Sequence, residues 1–229
     1  MEAVKIAEVR NPSGQSATPL WYVALLTDIS EEQLDAFEAL FVLNMSNDLS
    51  AISICGGDQS LIGPMARAMI AAATLGGAIY AATVDNGDVV GYAVWMPPGQ
   101  ELLTTPEQRK LGWDEFIAKL SPQGKDWLFK IYPKEVTVFM DGIFGAKGKL
   151  NSWYLNIIMV HPQHQRRGIA TRFMDIVRQK ASADGTMMAL STSHPRNVPI
   201  YRALRYELRG DKEVPSPWGN WLLFVFTQR

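Results

Sequence analysis

Residues 160–170 read VHPQHQRRGIA, and they join a strongly apolar stretch to an amphipathic one. The stretch before them, residues 153–159, reads WYLNIIM and predicts a buried strand because it is rich in large and branched apolar side chains. Pro162 ends that strand, since proline cannot donate a hydrogen bond to a sheet. Apolar residues then recur at helical spacing as far as Asp184-Gly185, where glycine favours a helix end. The sequence therefore predicts a strand, a basic turn and a helix.

A helix that begins directly after such a turn is suited to bind an anion. The first backbone N–H groups of a helix have no partner within it and carry partial positive charge. Gly168 would let a phosphate approach the backbone without a Cβ in the way, and Arg166 and Arg167 add full charges. Two solvated arginines beside an ordinary helix start would explain the same residues. The turn alone leaves both interpretations open.

The order of residues in this region carries a family resemblance. The segment QRRGIA at 165–170 resembles the Q/R-x-x-G-x-G/A signature of the GCN5-related N-acetyltransferase (GNAT) family, and Val160-His161-Pro162 is similar to the V-x-P that commonly precedes it. The segment NVPIYRALRY at 197–206 is similar to the family's second segment, in which an Asn and a Tyr precede Leu-Gly-Phe. Arg205 and Tyr206 depart from that pattern, which affects the expected helix end rather than the chemistry. These motifs cover about a quarter of the chain.

The rest of the chain predicts further strands and helices around this unit. Asn86-Gly87 between two apolar runs predicts a hairpin with a type I′ turn. Ser30 with Gln33 predicts a capping box at the start of one helix, and Asp58 is expected to cap a second. Further strands are predicted at the following positions: Val4, Ile6 and Val9, then 187–192, 207–212 and 221–227.

These elements predict an α+β fold with a GNAT-like, mixed and mostly antiparallel central sheet flanked by helices. The whole chain, 1–229, is expected to form a single acetyltransferase domain. Residues from approximately 97 to 150 look like a helical insertion between central strands, and residues 142–148 are expected to be a loop within it. Because the insertion leads into the strand at 153–159, we expect it to wall the acceptor pocket.

Composition narrows the functional classes. The net charge of −1 and the lack of a block of five basic residues argue against a broad nucleic-acid surface. The lone cysteine, Cys55, excludes an intrachain disulfide framework and suits a reducing compartment. The most apolar stretch, 68–84, is interrupted by Gly76-Gly77 and is shorter than the roughly 20 residues of a membrane span. With no secretory signal at residues 1–5, we expect a cytoplasmic protein without a membrane or nucleic-acid partner.

The resemblance implies acetyl-CoA as the cosubstrate. Its pantetheine arm would lie against backbone groups of Ile158, Met159 and Val160, with an N–H near Met159 polarising the thioester carbonyl. Its pyrophosphate would lie on the first N–H groups of the helix. Asn197 is expected to contact the cofactor or to cap a helix. The residues expected to bind at the turn are Gln165, Arg166, Arg167, Gly168, Ile169, Ala170 and Thr171.

Three residues are candidates for the chemistry. The resemblance implies that Tyr201 directs its hydroxyl at the CoA sulfur as a general acid, although a helix tyrosine half in the core is the ordinary alternative. His194 lies at the tip of the next predicted strand, where a general base could reach; a turn histidine bonded to backbone would look the same. Asn156 is expected to order water. Glu135 and Asp141 in the insertion are weaker base candidates.

Other site classes find little support in the sequence. His161 and His164 are three residues apart, but Pro162 interrupts any helix between them and no further ligand follows at suitable spacing, so we expect no metal site. No G-x-S-x-G motif of a serine hydrolase occurs. The preferred function is acetyl transfer to a primary amine of a small molecule. A protein or peptide N-acetyltransferase and a non-catalytic CoA-binding module stay open, as does a homodimer.

Overall fold

Seven strands form one sheet within residues 21–145 and 147–229, which a computed structural model describes. The strands lie in the order β1-β2-β3-β4-β5-β7-β6, and every neighbouring pair is antiparallel except β4 and β5, which are parallel. Their bounds are Trp21–Leu26 (β1), Ala78–Val84 (β2), Val89–Met96 (β3), Ser152–Val160 (β4), Met187–Thr192 (β5), Glu207–Val214 (β6) and Trp221–Gln228 (β7). The predicted strand at Val4, Ile6 and Val9 lies outside the described residues.

Helices cover both faces of this sheet. Their bounds are Glu31–Met45 (α1), Leu49–Ile54 (α2), Ile62–Ala73 (α3), Pro106–Arg109 (α4), Trp113–Lys119 (α5), Pro122–Asp126 (α6), Val138–Phe144 (α7), Ile169–Ala183 (α8) and Val198–Ala203 (α9). Two π-helical turns, Trp127–Ile131 and Pro133–Thr137, join α6 to α7. No helix within the described ranges is both long and apolar enough to cross a membrane.

The core has a layer on each face of the sheet. On one face, α1 and α3 pack through side chains such as Phe37 against Tyr92 and Ile157. On the other face, α8 packs through Phe173 and Val177. Full burial of a side chain such as Phe173 stabilises the fold by about 1.5–3 kcal/mol. The apolar face of the amphipathic helix α8 is therefore the face that packs on the sheet.

A third apolar cluster holds the insertion against the far end of the sheet. Trp127, Val136 and Met140 pack with Leu223 and Val225 of β7. The insertion is therefore helical and packed on the sheet, as its apolar spacing predicts.

Local chemistry explains several helix starts. Ser30 and Gln33 form the predicted capping box at the start of α1. Asp58 caps a 3₁₀ turn, Gln59–Leu61, that leads into α3 rather than capping the α-helix itself. α2, whose start is capped by Asp48, is not among the predicted helices.

Two loop predictions are wrong. The β2–β3 hairpin exists, but among its turn residues only Gly87 has a positive φ, +91°, so the turn is not type I′. Gly87 N–H closes the turn on the Val84 carbonyl at 2.8 Å, and a bulge follows in the ladder. Residues 142–144, expected in a loop, are the last residues of α7, which ends at Gly145 with φ +77°.

Candidate active site

The two central strands separate partway along their length. β4 pairs with β5 only from Ser152 to Leu155, where Leu155 lies opposite Leu190. A register shift against β3 places Val94 opposite Ile157 and Trp95 opposite Leu155, which leaves Asn156 as a bulge. A bulge bends its strand, so the end of β4 and the tip of β5 enclose a gap whose two edges carry unpaired backbone groups.

The backbone of β4 presents two residues to this gap. His161 N–H donates to the Val90 carbonyl at 2.9 Å, so the backbone groups of His161 point toward β3. Alternation along the strand then directs Met159 toward β3 and leaves Ile158 and Val160 facing the gap. The backbone N–H groups near Met159 that face the gap are therefore those of Ile158 and Val160.

Gln165 ties the turn to the end of β4. Its side-chain amide donates to the Val160 carbonyl at 3.2 Å, whereas the Val160 N–H has no partner in the part of the chain that the structure describes. The chain then reverses through Pro162–His164, with Arg166 at φ +60° and Gly168 at φ +85°.

At the mouth of the gap, the first N–H groups of α8 have no hydrogen-bond partner among the described residues. The first backbone bond into the helix runs from Arg172 N–H to the Gly168 carbonyl at 2.9 Å, and no side chain of residues 21–145 or 147–229 caps the preceding groups. The N–H groups of Ile169, Ala170 and Thr171 thus precede any intrahelical bond. Partial positive charge at this point suits an anion.

The gap continues into a cavity of about 650 Å³. Every residue predicted to bind the cosubstrate lines it except Arg167, which is exposed and lies outside the wall. Tyr201, His194 and Asn156 line it too. Arg166 thus belongs to the wall and Arg167 does not, and the role of Arg167 in binding the cosubstrate stays a prediction.

Tyr201 lies in α9 with its ring buried against Tyr206 and Phe226, at centroid distances of 6.1 and 5.4 Å. Burial raises the pKa of its phenol, and nearby Tyr154 raises it further. The hydroxyl therefore stays protonated throughout the neutral range and can act as a hydrogen-bond donor to an atom in the cavity.

His194 is paired with a carboxylate that the sequence analysis missed. Its Nε2 lies 3.1 Å from Oδ2 of Asp48, whose side chain is 2% exposed. Ser193 Oγ donates to the same oxygen at 2.7 Å. His194 is therefore bound to a side chain from the α1–α2 loop, rather than to backbone as an ordinary turn histidine would be.

The two predicted amides have local partners. Asn156 donates to the Tyr154 carbonyl at 3.2 Å, and Asn197 donates to Thr192 Oγ1 at 2.9 Å. Asn197 makes no side-chain cap at α9. Of the weaker base candidates, Glu135 pairs with Lys212 at 2.6 Å and Asp141 is exposed, and neither lines the cavity.

The far side of the cavity is largely apolar. α1, α3 and the insertion contribute Phe41, Met45, Met65, Met69, Val136 and Met140. Lys149 also lines it, but its ammonium pairs with Glu101 at 2.6 Å. No Asp or Glu belongs to the wall as far as the described residues form it. An unpaired cation in the cavity would thus find no carboxylate there.

Two other candidate groups have little reactivity. Burial, followed by Asp58, raises the pKa of the Cys55 thiol to about 12, which suits a structural cysteine. Burial, Arg167 and His161 lower the pKa of His164. The described part of the chain holds no cluster of three or more His, Cys, Asp or Glu residues that could bind a metal.

Comparison with known proteins identifies the domain. Residues 143–209, which span the strand, the turn, α8 and α9, match a family model described as an acetyltransferase (GNAT) domain. Residues 143–209 therefore match a GNAT acetyltransferase domain. The resemblance to the GNAT family that the motifs at 160–170 and 197–206 indicated is thereby confirmed.

Solved structures share the GNAT fold across most of the chain. The histone acetyltransferase HPA2 and related acetyltransferase from Corynebacterium glutamicum is 15% identical with a TM-score of 0.55, covering 91% of this chain and 96% of that one. A putative phosphinothricin N-acetyltransferase is 10% identical with a TM-score of 0.51, at 92% and 98% coverage. An agmatine N-acetyltransferase is 11% identical with a TM-score of 0.51, at 90% and 98% coverage. At these identities the likeness confirms the fold.

Proposed function

We propose that this GNAT protein transfers the acetyl group of acetyl-CoA to a primary amine of a small molecule. One observation carries the proposal: the gap between β4 and β5 opens at one end onto the first N–H groups of α8, which no described residue pairs, and its wall contains Tyr201 and His194. A diphosphate, an amide-bearing arm and a reacting carbonyl can therefore lie along one continuous path.

The residues of this path suit the cosubstrate. The N–H groups of Ile169, Ala170 and Thr171 would hold the pyrophosphate, with Arg166 adding charge. Ile158 and Val160 would bind the pantetheine amides as an added strand would. Bound acetyl-CoA would supply the acetyl group as an activated thioester.

Two side chains would accept and donate the protons of the reaction. The acceptor enters as an ammonium, and its nitrogen can attack only after His194 has taken one proton from it. The N–H of Ile158 or Val160 would donate to the carbonyl oxygen of the thioester as negative charge develops there. Tyr201 would donate its hydroxyl proton to the leaving sulfur as the carbon–sulfur bond breaks, and it would regain a proton from the second one that the nitrogen loses as the amide forms. The products are then the acetylated amine, the free thiol and one proton.

The cavity supports a compact acceptor with an apolar body. The insertion, together with α1 and α3, supplies a wall of methionine and branched side chains, including Val136 and Met140. Agmatine, named as the substrate of one structural relative, would bring a second cation. The described wall has no carboxylate for that cation, so we propose a monoamine rather than a polyamine or agmatine.

Two broader features belong to the same proposal. We propose that residues 1–229 form a single acetyltransferase domain with its insertion at approximately 97–150, and that it acts in the cytoplasm. The continuous sheet of the described residues supports the single domain, and the lone buried Cys55 supports a reducing compartment such as the cytoplasm.

Thiol release with a panel of acceptors tests the function. We expect turnover with acetyl-CoA and arylalkyl or alkyl monoamines, with kcat/KM at least about tenfold above that for agmatine and spermidine. Mass spectrometry of the product would locate the acetyl group on nitrogen. Faster turnover of lysine peptides would favour the peptide enzyme instead. Tight acetyl-CoA binding without turnover of any amine would favour the non-catalytic module.

A further inference from the structure

The carboxylate of Asp48 uses its two oxygens for different purposes. Oδ1 accepts from the backbone N–H groups of Ser50 and Ala51 at 2.9 and 3.0 Å and from the Ser50 hydroxyl, which caps the start of α2. Oδ2 accepts from Ser193 at 2.7 Å and lies 3.1 Å from Nε2 of His194. The cap is local, whereas the second set of contacts reaches the tip of β5.

A helix cap does not need this arrangement. Asp58 makes the same local cap, accepting from Ser60 N–H at 3.0 Å and from the Ser60 hydroxyl at 2.6 Å, at an exposed position and with no histidine beside it. Asp48 is instead 3% exposed. Burying a carboxylate costs free energy unless it is paired, so the contacts to Ser193 and His194 compensate for removing it from water.

The pair also determines which nitrogen of His194 can accept a proton. A neutral imidazole has one N–H and one lone pair. With Nε2 against an acceptor-only carboxylate, Nε2 carries the hydrogen and Nδ1 carries the lone pair. His194 lines the cavity, so the imidazole is held with an acceptor nitrogen available and with a negative group behind it.

We infer that Asp48 is the positioning residue for His194 as general base, an inference that rests on the proposed function. A proton moves from the acceptor ammonium to Nδ1, the amine lone pair becomes free to attack, and the imidazolium is stabilised by the buried carboxylate. Asp48 itself touches neither substrate. After transfer, the imidazolium returns its proton to solvent.

Asp48→Asn tests this role while keeping the cap, because the amide oxygen can occupy the place of Oδ1. We expect kcat for a basic monoamine to fall by at least about tenfold, with little change in the KM for acetyl-CoA. His194→Gln should cause a similar loss, and the double variant should lose no more than the larger single loss. Asp58→Asn, which alters only a cap, should keep the wild-type kcat.

Acceptor basicity separates positioning from a structural role. Trifluoroethylamine reaches the site largely unprotonated at neutral pH and needs no base to free its lone pair. With this acceptor, kcat of Asp48→Asn should therefore lie close to that of wild type and of Asp58→Asn. A loss of equal size for basic and weakly basic amines, or one that adds to that of His194→Gln, would overturn the inference.

A measurement on the wild-type protein covers the case in which Asp48→Asn does not fold. Nitrogen chemical shifts of the His194 imidazole should report the Nε2–H tautomer, and the Nδ1–H tautomer would overturn the inference. Wild-type protein that turns over no amine would refute the proposed function itself. Wild-type turnover with an unaffected Asp48→Asn variant would refute the role of Asp48 alone.

Discussion

At the scale of single residues, Tyr201 carries the sharpest prediction. Tyr201→Phe removes one hydroxyl and leaves the ring contacts with Tyr206 and Phe226 in place. If that hydroxyl donates to the leaving sulfur, kcat should fall on the order of 100-fold with little change in acetyl-CoA affinity. Steady-state kinetics with calorimetric binding measures both quantities.

Tyr206→Phe is the matched control for Tyr201→Phe. Tyr206 is also buried, and its hydroxyl contacts Met188 Sδ at 3.6 Å rather than the cavity. The Tyr206→Phe variant should therefore keep the wild-type kcat. Equal rates for wild type and Tyr201→Phe would remove the role of general acid.

Arg205 shows how a departure from a family pattern becomes a stability prediction. It has φ +68° at the end of α9, where Tyr206 N–H bonds the Tyr201 carbonyl at 2.9 Å. A non-glycine residue in the left-handed region costs about 1–2 kcal/mol, partly offset by the greater chain entropy of unfolded glycine. Arg205→Gly should therefore raise the free energy of unfolding by about 0.5–1 kcal/mol.

Urea denaturation measures this change. Arg202→Gly serves as the opposite control, because Arg202 is exposed inside α9 and glycine there should cost about 1 kcal/mol. An Arg205→Gly variant no more stable than wild type would show that the left-handed arginine is unstrained.

Only some of the residues in the candidate site could be predicted from the sequence. Motif order led to Tyr201 and to the turn, because these contacts are local in the chain. The partnership of Asp48 with His194 spans 146 positions, and no local pattern encodes it. Asp48 followed by Ser50 is a helix-cap signal that could have revealed α2, but not the histidine.

At the scale of elements, the insertion makes a testable contribution to the cavity. Val136 is 2% exposed and lines the cavity, whereas Val138 is 65% exposed two residues further along. If the insertion walls the acceptor pocket, Val136→Ala should raise the KM for an apolar monoamine several-fold and leave acetyl-CoA affinity nearly unchanged. Initial rates at varied amine concentration measure this effect.

Val138→Ala removes the same atoms on the solvent side, so it should change neither the KM for the amine nor the affinity for acetyl-CoA. A Val136→Ala variant that stays folded but loses acetyl-CoA affinity first would contradict the assignment of this wall to the acceptor.

Helices and strands were predicted well where apolar residues recur at regular spacing. Bulges and turn types were predicted less well, because they depend on how neighbouring strands pair. The strand, turn and α8 follow from apolar spacing and from Pro162 and Gly168. The bulge at Asn156 carries no glycine or proline signal, so the separation of β4 from β5 could not be predicted from the local sequence. Asn86-Gly87 correctly predicted a hairpin but the wrong turn type, because a bulge in the ladder accommodates a turn with one left-handed residue.

At the scale of the whole molecule, the sheet order brings distant segments to one site. β4 supplies the backbone edge, and the loop after β5 supplies His194. Tyr201 comes from α9, and Asp48 comes from the α1–α2 loop, far earlier in the chain. The mixed sheet was predictable, since its strands carry clear signals. The placement of β7 between β5 and β6 was not, because long-range pairing has no local sequence signature.

The central claim is that acetyl-CoA binds with its diphosphate on the first N–H groups of α8. Thr171→Asp tests it without weakening the helix, because Thr171 is exposed in the first turn, where an acidic residue is favourable. The added carboxylate should repel the diphosphate and compete for the same N–H groups.

Calorimetric titration of acetyl-CoA into wild type and Thr171→Asp is the most direct measurement. We predict one site in the wild type and at least about tenfold weaker binding, or about 1.4 kcal/mol, in the variant. No binding to the wild type, or equal affinity in the two proteins, would contradict the account.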